Sequence, residues 1–145
     1  MRKTLYTLIK DTLQNIDDIK HIDLWNNQVG MAEEEQAFNT PAVFVEFDPI
    51  AWQHLPHGVR EAVITIHLHL VTDTREAHWE DSIERFAVSE QINQALHRLT
   101  FNDGTHIVDS LTLENSQTDH NFDELADDVD TYRCHITTFS NHTRY

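Results

Sequence analysis

His67 and His69 are the first residues that invite a chemical reading. They stand two apart in Ile64-Thr-Ile-His-Leu-His-Leu-Val71, and on a strand residues i and i+2 point to one face. Two imidazoles on one face can begin a metal site, because zinc is held by histidine nitrogens with cysteine or carboxylate partners. No spacing in the chain points to a third ligand, and the sequence carries 11 histidines. The plainer reading is two half-exposed histidines on the polar face of a sheet. A second constellation is acidic. Asp119, Asn121, Asp123, Asp127 and Asp130 fall at positions 1, 3, 5, 9 and 12 of a calcium-loop count. Glu124 stands where that loop needs glycine for its sharp turn, and Asp130 replaces the longer bidentate glutamate. A polar connecting loop is the expectation, with no bound cofactor.

The single cysteine, Cys134, excludes an internal disulfide and any multi-cysteine metal site. It lies on an expected strand whose alternation turns Arg133 and His135 to the other face, so nothing cationic lowers its pKa as a nucleophile requires. No serine sits in a G-x-S-x-G elbow. With three glycines in the chain, neither a P-loop nor a dinucleotide-binding pattern is possible. These residues do not compose a catalytic site, and the sequence reads as that of a non-enzyme.

The elements that would carry these residues follow from periodicity. Leu5, Leu8, Ile9, Leu13 and Ile16 recur at helical spacing over residues 4–17, which predicts an amphipathic helix and not a secretory leader. Ile22 and Leu24 alternate with polar neighbours as a short strand. Residues 26–40 lose periodicity and read as a loop. Pro41-Ala-Val-Phe-Val-Glu-Phe47 reads as a strand entered from proline. Residues 48–59 read as an ordered connection. The longest strand is expected from Arg60 to Thr72, with Ala62, Ile64, Ile66, Leu68 and Leu70 on one face and Val63, Thr65, His67, His69 and Val71 on the other. One fully apolar face and one mixed face suit a sheet covered by helices on one side. A second helix is expected from Trp79 to Leu99, with Ile83, Phe86, Ala87, Ile92 and Leu96 in its stripe. Asn102-Asp-Gly104 marks a turn. A strand near His106 to Glu114, an acidic loop and a closing strand, Thr131 to Phe139, complete the chain. The fold expected is α+β: one domain over 1–145, two helices on one face of a mostly antiparallel sheet of about five strands, in the order α-β-β-β-α-β-β.

Charge sharpens what the chain meets. Formal net charge is −15 with histidine neutral, which repels nucleic-acid phosphates and anionic membranes. No Lys or Arg occurs between Lys20 and Arg60 or between Arg98 and Arg133. The second gap holds Asp109, Glu114, Asp119, Asp123, Glu124, Asp127, Asp128 and Asp130, either a solvated loop kept soluble by self-repulsion or a surface that must not stick to passing DNA. No apolar run approaches the roughly 20 residues of a membrane helix. Val29, Phe38, Trp52 and Leu55 are exposed-looking apolar residues on the connections and are the candidates for subunit contact.

The order of elements resembles the tail-completion, or tail-terminator, proteins of long-tailed phages and prophages. The proline-led strand 41–47, the long strand Ala62–Val71 running through a polar turn into the helix Trp79–Leu99, and the ending Asp130-Thr-Tyr-Arg-Cys-His-Ile136 carry the resemblance. The acidic stretch 114–130 and the histidine-rich long strand depart from it. The resemblance implies a structural virion protein, made in the host cytoplasm and then built into the tail. It implies a self-associated ring, typically a hexamer, that caps the head-proximal end of the tail tube and binds tube protein and head-connector protein. DNA would pass through without being read, past a lumen to which the acids at 119–130 are the candidate lining. The alternatives are a metal-binding module or metal-dependent enzyme using His67 and His69, and a cytoplasmic protein-binding adaptor.

Overall fold

The computed structural model describes residues 1–26, 38–73, 83–119 and 125–140. Within them, helix α1 (Arg2–Leu13) is followed by strands β1 (His21–Leu24), β2 (Ala42–Phe47), β3 (Gln53–Leu55) and β4 (Val59–Asp73). Helix α2 (Glu84–Leu96) comes next, then β5 (Phe101–Asn102), β6 (His106–Val108), β7 (Thr112–Asp119) and β8 (Leu125–Phe139).

The expected sheet of about five mostly antiparallel strands is corrected to eight strands in a mixed sheet, and the protein is mostly β. The order is β1-β2-β4-β8-β6-β5, with β3 added on β4 and β7 on β8. β1 pairs with β2 in parallel; the other pairings are antiparallel. Two causes account for the difference. β3, β5 and β6 are two or three residues long, too short to show a period of two. The acid-rich stretch expected to be a loop is strand on both sides: β7 runs to Asp119, and β8 begins at Leu125 rather than near Thr131.

β4 and β8 form the centre. Both are 15 residues long, and they pair without interruption from Val59 against Phe139 to Asp73 against Leu125. Strict alternation divides the sheet into two faces. On the helix face Ala62, Ile64, Ile66, Leu68 and Leu70 of β4 join Val43 and Val45 of β2 and Tyr132, Cys134 and Ile136 of β8. Leu5, Ile9 and Leu13 of α1 and Val88, Ile92 and Leu96 of α2 close over them. Each helix buries one stripe spaced by four, the row that a 3.6-residue period keeps on one side.

α2 differs from its expected outline. Its predicted start at Trp79 lies outside the described residues. Its C-terminal end falls at Leu96, and Arg98 turns to φ 56°. The stripe is rotated as well: Ile83 is 75% exposed and Phe86 41%, and Val88 takes the buried position. Arg85 on the inward side of the first turn reaches Asp128 on the sheet at 2.8 Å, which fits this rotation.

The core of the helix face is expected to respond as a close-packed interior does. Ile66→Ala, at a site with no exposed surface, should lower unfolding free energy by about 2–5 kcal/mol in urea titrations. Val63→Ala on the opposite face of the same strand, at a site 49% exposed, should stay within about 0.5 kcal/mol of the parent.

Candidate functional site

The second face of the sheet carries the histidines, and the sheet register decides what they meet. His69 of β4 lies opposite Phe44 of β2 and Val129 of β8. Its diagonal neighbours are Glu46 and Asp127, within reach of a long or polar side chain. His69 Nε2 lies 2.7 Å from Glu46 Oε1, and Nδ1 lies 3.0 Å from Asp127 Oδ2. An ionised carboxylate only accepts hydrogen bonds, so both contacts are made at once when the ring is an imidazolium with a proton on each nitrogen. The Trp25 indole lies flat on the imidazole, with ring centroids 3.7 Å apart and an interplanar angle of 0°, a position that favours a cation beneath the ring. Side-chain exposure is 9% for His69, 3% for Asp127 and 40% for Glu46.

Burial alone would depress the His69 pKa, because it penalises the charged form. The hydrogen bonds and charges of Asp127 and then of Glu46 outweigh it and hold the imidazolium above the ordinary 6.5. His67, on the same face, is engaged differently: Nδ1 is 2.9 Å from Thr131 Oγ1 and Nε2 is 2.9 Å from Asp48 Oδ1. The H-x-H pair is thus two separately partnered rings. Among the described residues no group of three or more His, Cys, Asp or Glu is arranged to hold a metal ion.

The acids expected to line a lumen are placed in part. Asp127, Asp128 and Asp130 are buried, and alternation along β8 places Asp127 on the histidine face and the other two on the helix face. Asp128 accepts from Arg85 Nε at 2.8 Å and from Thr118 Oγ1 at 2.6 Å. Asp130 has its pKa raised, first by burial and also by the charge of Asp128, against hydrogen bonds from Ser116 and Asn93. Tyr132 donates its hydroxyl to Asn93 Oδ1, so Asn93 of α2 bridges two residues of β8. Asp119 is half-buried at the end of β7, opposite Asp127. Asp123 and Glu124 lie outside the described residues. Cys134 is buried, and burial followed by the charge of Asp109 pushes its thiol up to about 12, which makes it inert as a nucleophile.

Of the contact candidates, Val29 lies outside the described residues. Phe38 packs edge-on against Phe44 at 5.1 Å. Trp52 is partly buried against the main core with the Arg60 guanidinium 5.0 Å from its ring. Leu55 is half-buried in β3 and lines a cleft with His54, Val59 and Arg60. Among the described residues the large apolar side chains that stand in solvent are Leu24, Val63, Ile83, Phe86 and Leu113; none of them was among the contact candidates read from the sequence.

Two pockets open on the histidine face and share His67, Gln117 and Val129. The smaller, about 260 Å³, is lined by Trp25, Glu46, His69, Asp119 and Asp127 in addition. The larger, about 690 Å³, extends along β7 over Thr112 to Asn115. In the larger one the Thr131 hydroxyl lies beside His67, at 2.9 Å from Nδ1.

No protein-family model matches this chain, and no curated protein matches it in sequence. Among solved structures, a chain in the virion of a native gene transfer agent (GTA) particle is similar. The TM-score is 0.62 over 92% of this chain and 94% of that one, at 12% identity. The likeness is one of fold and takes in nearly the whole of both chains.

Two outcomes follow from the clamp. Asp127→Ala leaves a buried imidazolium without its dry partner and should lower stability by about 3–5 kcal/mol, read by urea denaturation. Added zinc should leave the melting temperature unchanged, because the ring nitrogens of His67 and His69 are already committed. Stoichiometric zinc retained through dialysis would show that the rings can leave their carboxylates for a metal.

Proposed function

We propose that this protein is a structural virion subunit, a tail terminator that assembles as a ring, ends the growth of a phage tail tube at its head-proximal end and joins it to the head connector. The observation that carries the reading is the likeness of fold, over nearly all of both chains, to a chain of a virion particle. The order of elements on which the family resemblance rests points the same way, and the histidines and acids that could have built a metal site are bonded to one another instead.

A closed ring needs a heterologous interface, in which one patch meets a different patch of the next copy. Exposed apolar residues stand in places suited to this: Val63 on the histidine face, Leu113 on β7, and Ile83 and Phe86 at the start of α2. Aromatic and aliphatic side chains in such positions supply the dry centre of an interface. The charge of −15 per copy opposes assembly, and salt weakens that opposition because the Debye length is about 8 Å at physiological ionic strength.

The purified chain is therefore expected to sediment as a monomer or small oligomer at low salt and to shift toward rings as salt rises. Electron microscopy of the protein mixed with its tail tubes should show added density at one tube end. Phe86→Glu should abolish that density while leaving the thermal melt of the monomer close to the parent. Duplex DNA should not bind at any salt. A chain that stays monomeric under all conditions and ignores tubes, or that binds duplex DNA tightly, rules the terminator out.

A further inference from the structure

Trp25 follows β1 directly, and its amide donates to the carbonyl of Val45 at 2.9 Å, extending the β1–β2 ladder by one residue. Its side chain packs against the apolar cluster of Ala42, Phe44, Val71 and Leu125 and lies flat on the His69 ring, with the Phe44 ring centroid 6.1 Å away. Phe38, just ahead of β2, meets the same Phe44. The departure of the chain from β1 and its arrival at β2 are both fastened by ring contacts around Phe44, and the first depends on the charge state of one histidine.

We propose that the Glu46–His69–Asp127 clamp and the Trp25 indole upon it form a proton-operated latch, closed while His69 carries both ring protons and released when it carries one. With two protons, each ring nitrogen donates to a carboxylate. When one proton passes to solvent, a nitrogen lone pair is left facing a negative oxygen, and one carboxylate has to withdraw. Asp127, with 3% side-chain exposure, has no route to water, whereas Glu46, with 40%, has one. The proton therefore leaves from Nε2, the N–H···O contact to Glu46 becomes a repulsion, and the Glu46 side chain turns outward. Trp25 loses the cation beneath it and the wall beside it in the same step. The pocket of about 260 Å³ between Trp25, Glu46 and Asp119 then widens.

The charged groups around His69 favour the closed state. Glu46 faces it from β2 and Asp127 from β8, and Asp119 of β7 lines the same pocket. His67, two residues along β4, is partnered by Asp48. His21 and Asp23 of β1 lie on this face beyond Phe44. Burial opposes the charge, and the two bonded carboxylates outweigh burial. For a histidine whose folded pKa is raised, the stabilisation is complete below the unfolded value near 6.5 and is lost as pH rises through the folded value. The latch is therefore closed in mild acid and opens on the alkaline side. It belongs to the single chain and does not rest on the ring reading.

The test follows the His69 ring protons and the Trp25 indole N–H by NMR from about pH 6 to about pH 9, the window in which a histidine raised above 6.5 titrates. Both signals are expected to change with one shared midpoint above 6.5. Glu46→Gln keeps an acceptor and removes a charge, so the midpoint should fall by about one pH unit or more. His69→Gln should abolish the Trp25 transition, as seen also by fluorescence in a Trp52→Phe/Trp79→Phe background. A Trp25 signal that stays flat while His69 titrates overturns the latch, as does a His69 that does not titrate in this window. An unchanged midpoint in Glu46→Gln overturns it too, and that variant decides the matter if His69→Gln does not fold.

Discussion

A positive charge held between two negative ones, on three adjacent strands, is the constraint around which the histidine face is arranged. Glu46, His69 and Asp127 belong to β2, β4 and β8, and each contact is a diagonal across one strand pair. Because side chains alternate with a period of two, a slip of one residue in either ladder would carry a carboxylate to the opposite face. Such a slip would leave an unpaired charge in the interior, which costs far more than the net gain of the intact pair. The clamp therefore acts on register more than on total stability. The apolar helix face rewards any alignment that keeps its aliphatic residues inward, including shifts of two; the clamp accepts one alignment only.

The same logic explains how an acid-rich segment is a long, buried strand. Asp127, Asp128 and Asp130 would each be expected to hold β8 in solvent if unpaired. Each has a partner supplied by a different element: His69 from the neighbouring strand, Arg85 from α2 with Thr118 from β7, and Ser116 and Asn93 for Asp130. The partners stand on both faces, so the strand is locked from above and below. The reach of Arg85 to Asp128 also fits the rotation of α2, which turns Ile83 and Phe86 outward.

What was legible in the sequence was the part governed by local period. The apolar stripe Leu5, Ile9 and Leu13 of α1, the proline-led β2, the two faces of β4 and the inward position of Cys134 all follow from spacing within one element, although α1 spans Arg2–Leu13 and not 4–17. What was not legible depends on partners far away along the chain. Nothing near Asp127 in sequence announces His69, 58 residues distant, so composition made the stretch look like a loop. The direction of β1 is likewise decided across the sheet, by its parallel register with β2. The H-x-H motif was correctly seen as two rings on one face, but its chemistry was set by the acids that the fold brought to it. For the candidate site, then, the residue types were readable and their pairing was not.

This pairing also changes what the net charge means. Counted along the sequence, the acids between Arg98 and Arg133 suggest an unbroken negative surface. In the fold Asp127 and Asp128 are neutralised by His69 and Arg85, and burial favours the protonated form of Asp130. The field in solvent comes from residues such as Asp23, Asp109 and Glu114, with side chains 58%, 67% and 43% exposed. All three stand beside cationic or titratable partners: Asp23 near His21 at 3.7 Å, Asp109 near His135 at 3.4 Å and Glu114 near Arg133 at 3.6 Å. Exposed pairs at such distances contribute little stability, but they shorten the reach of the negative potential. The repulsion between two copies is accordingly weaker than a formal −15 on each suggests. Burying acids within the sheet leaves exposed apolar residues such as Val63 and Leu113 less surrounded by unbalanced charge than the composition suggests.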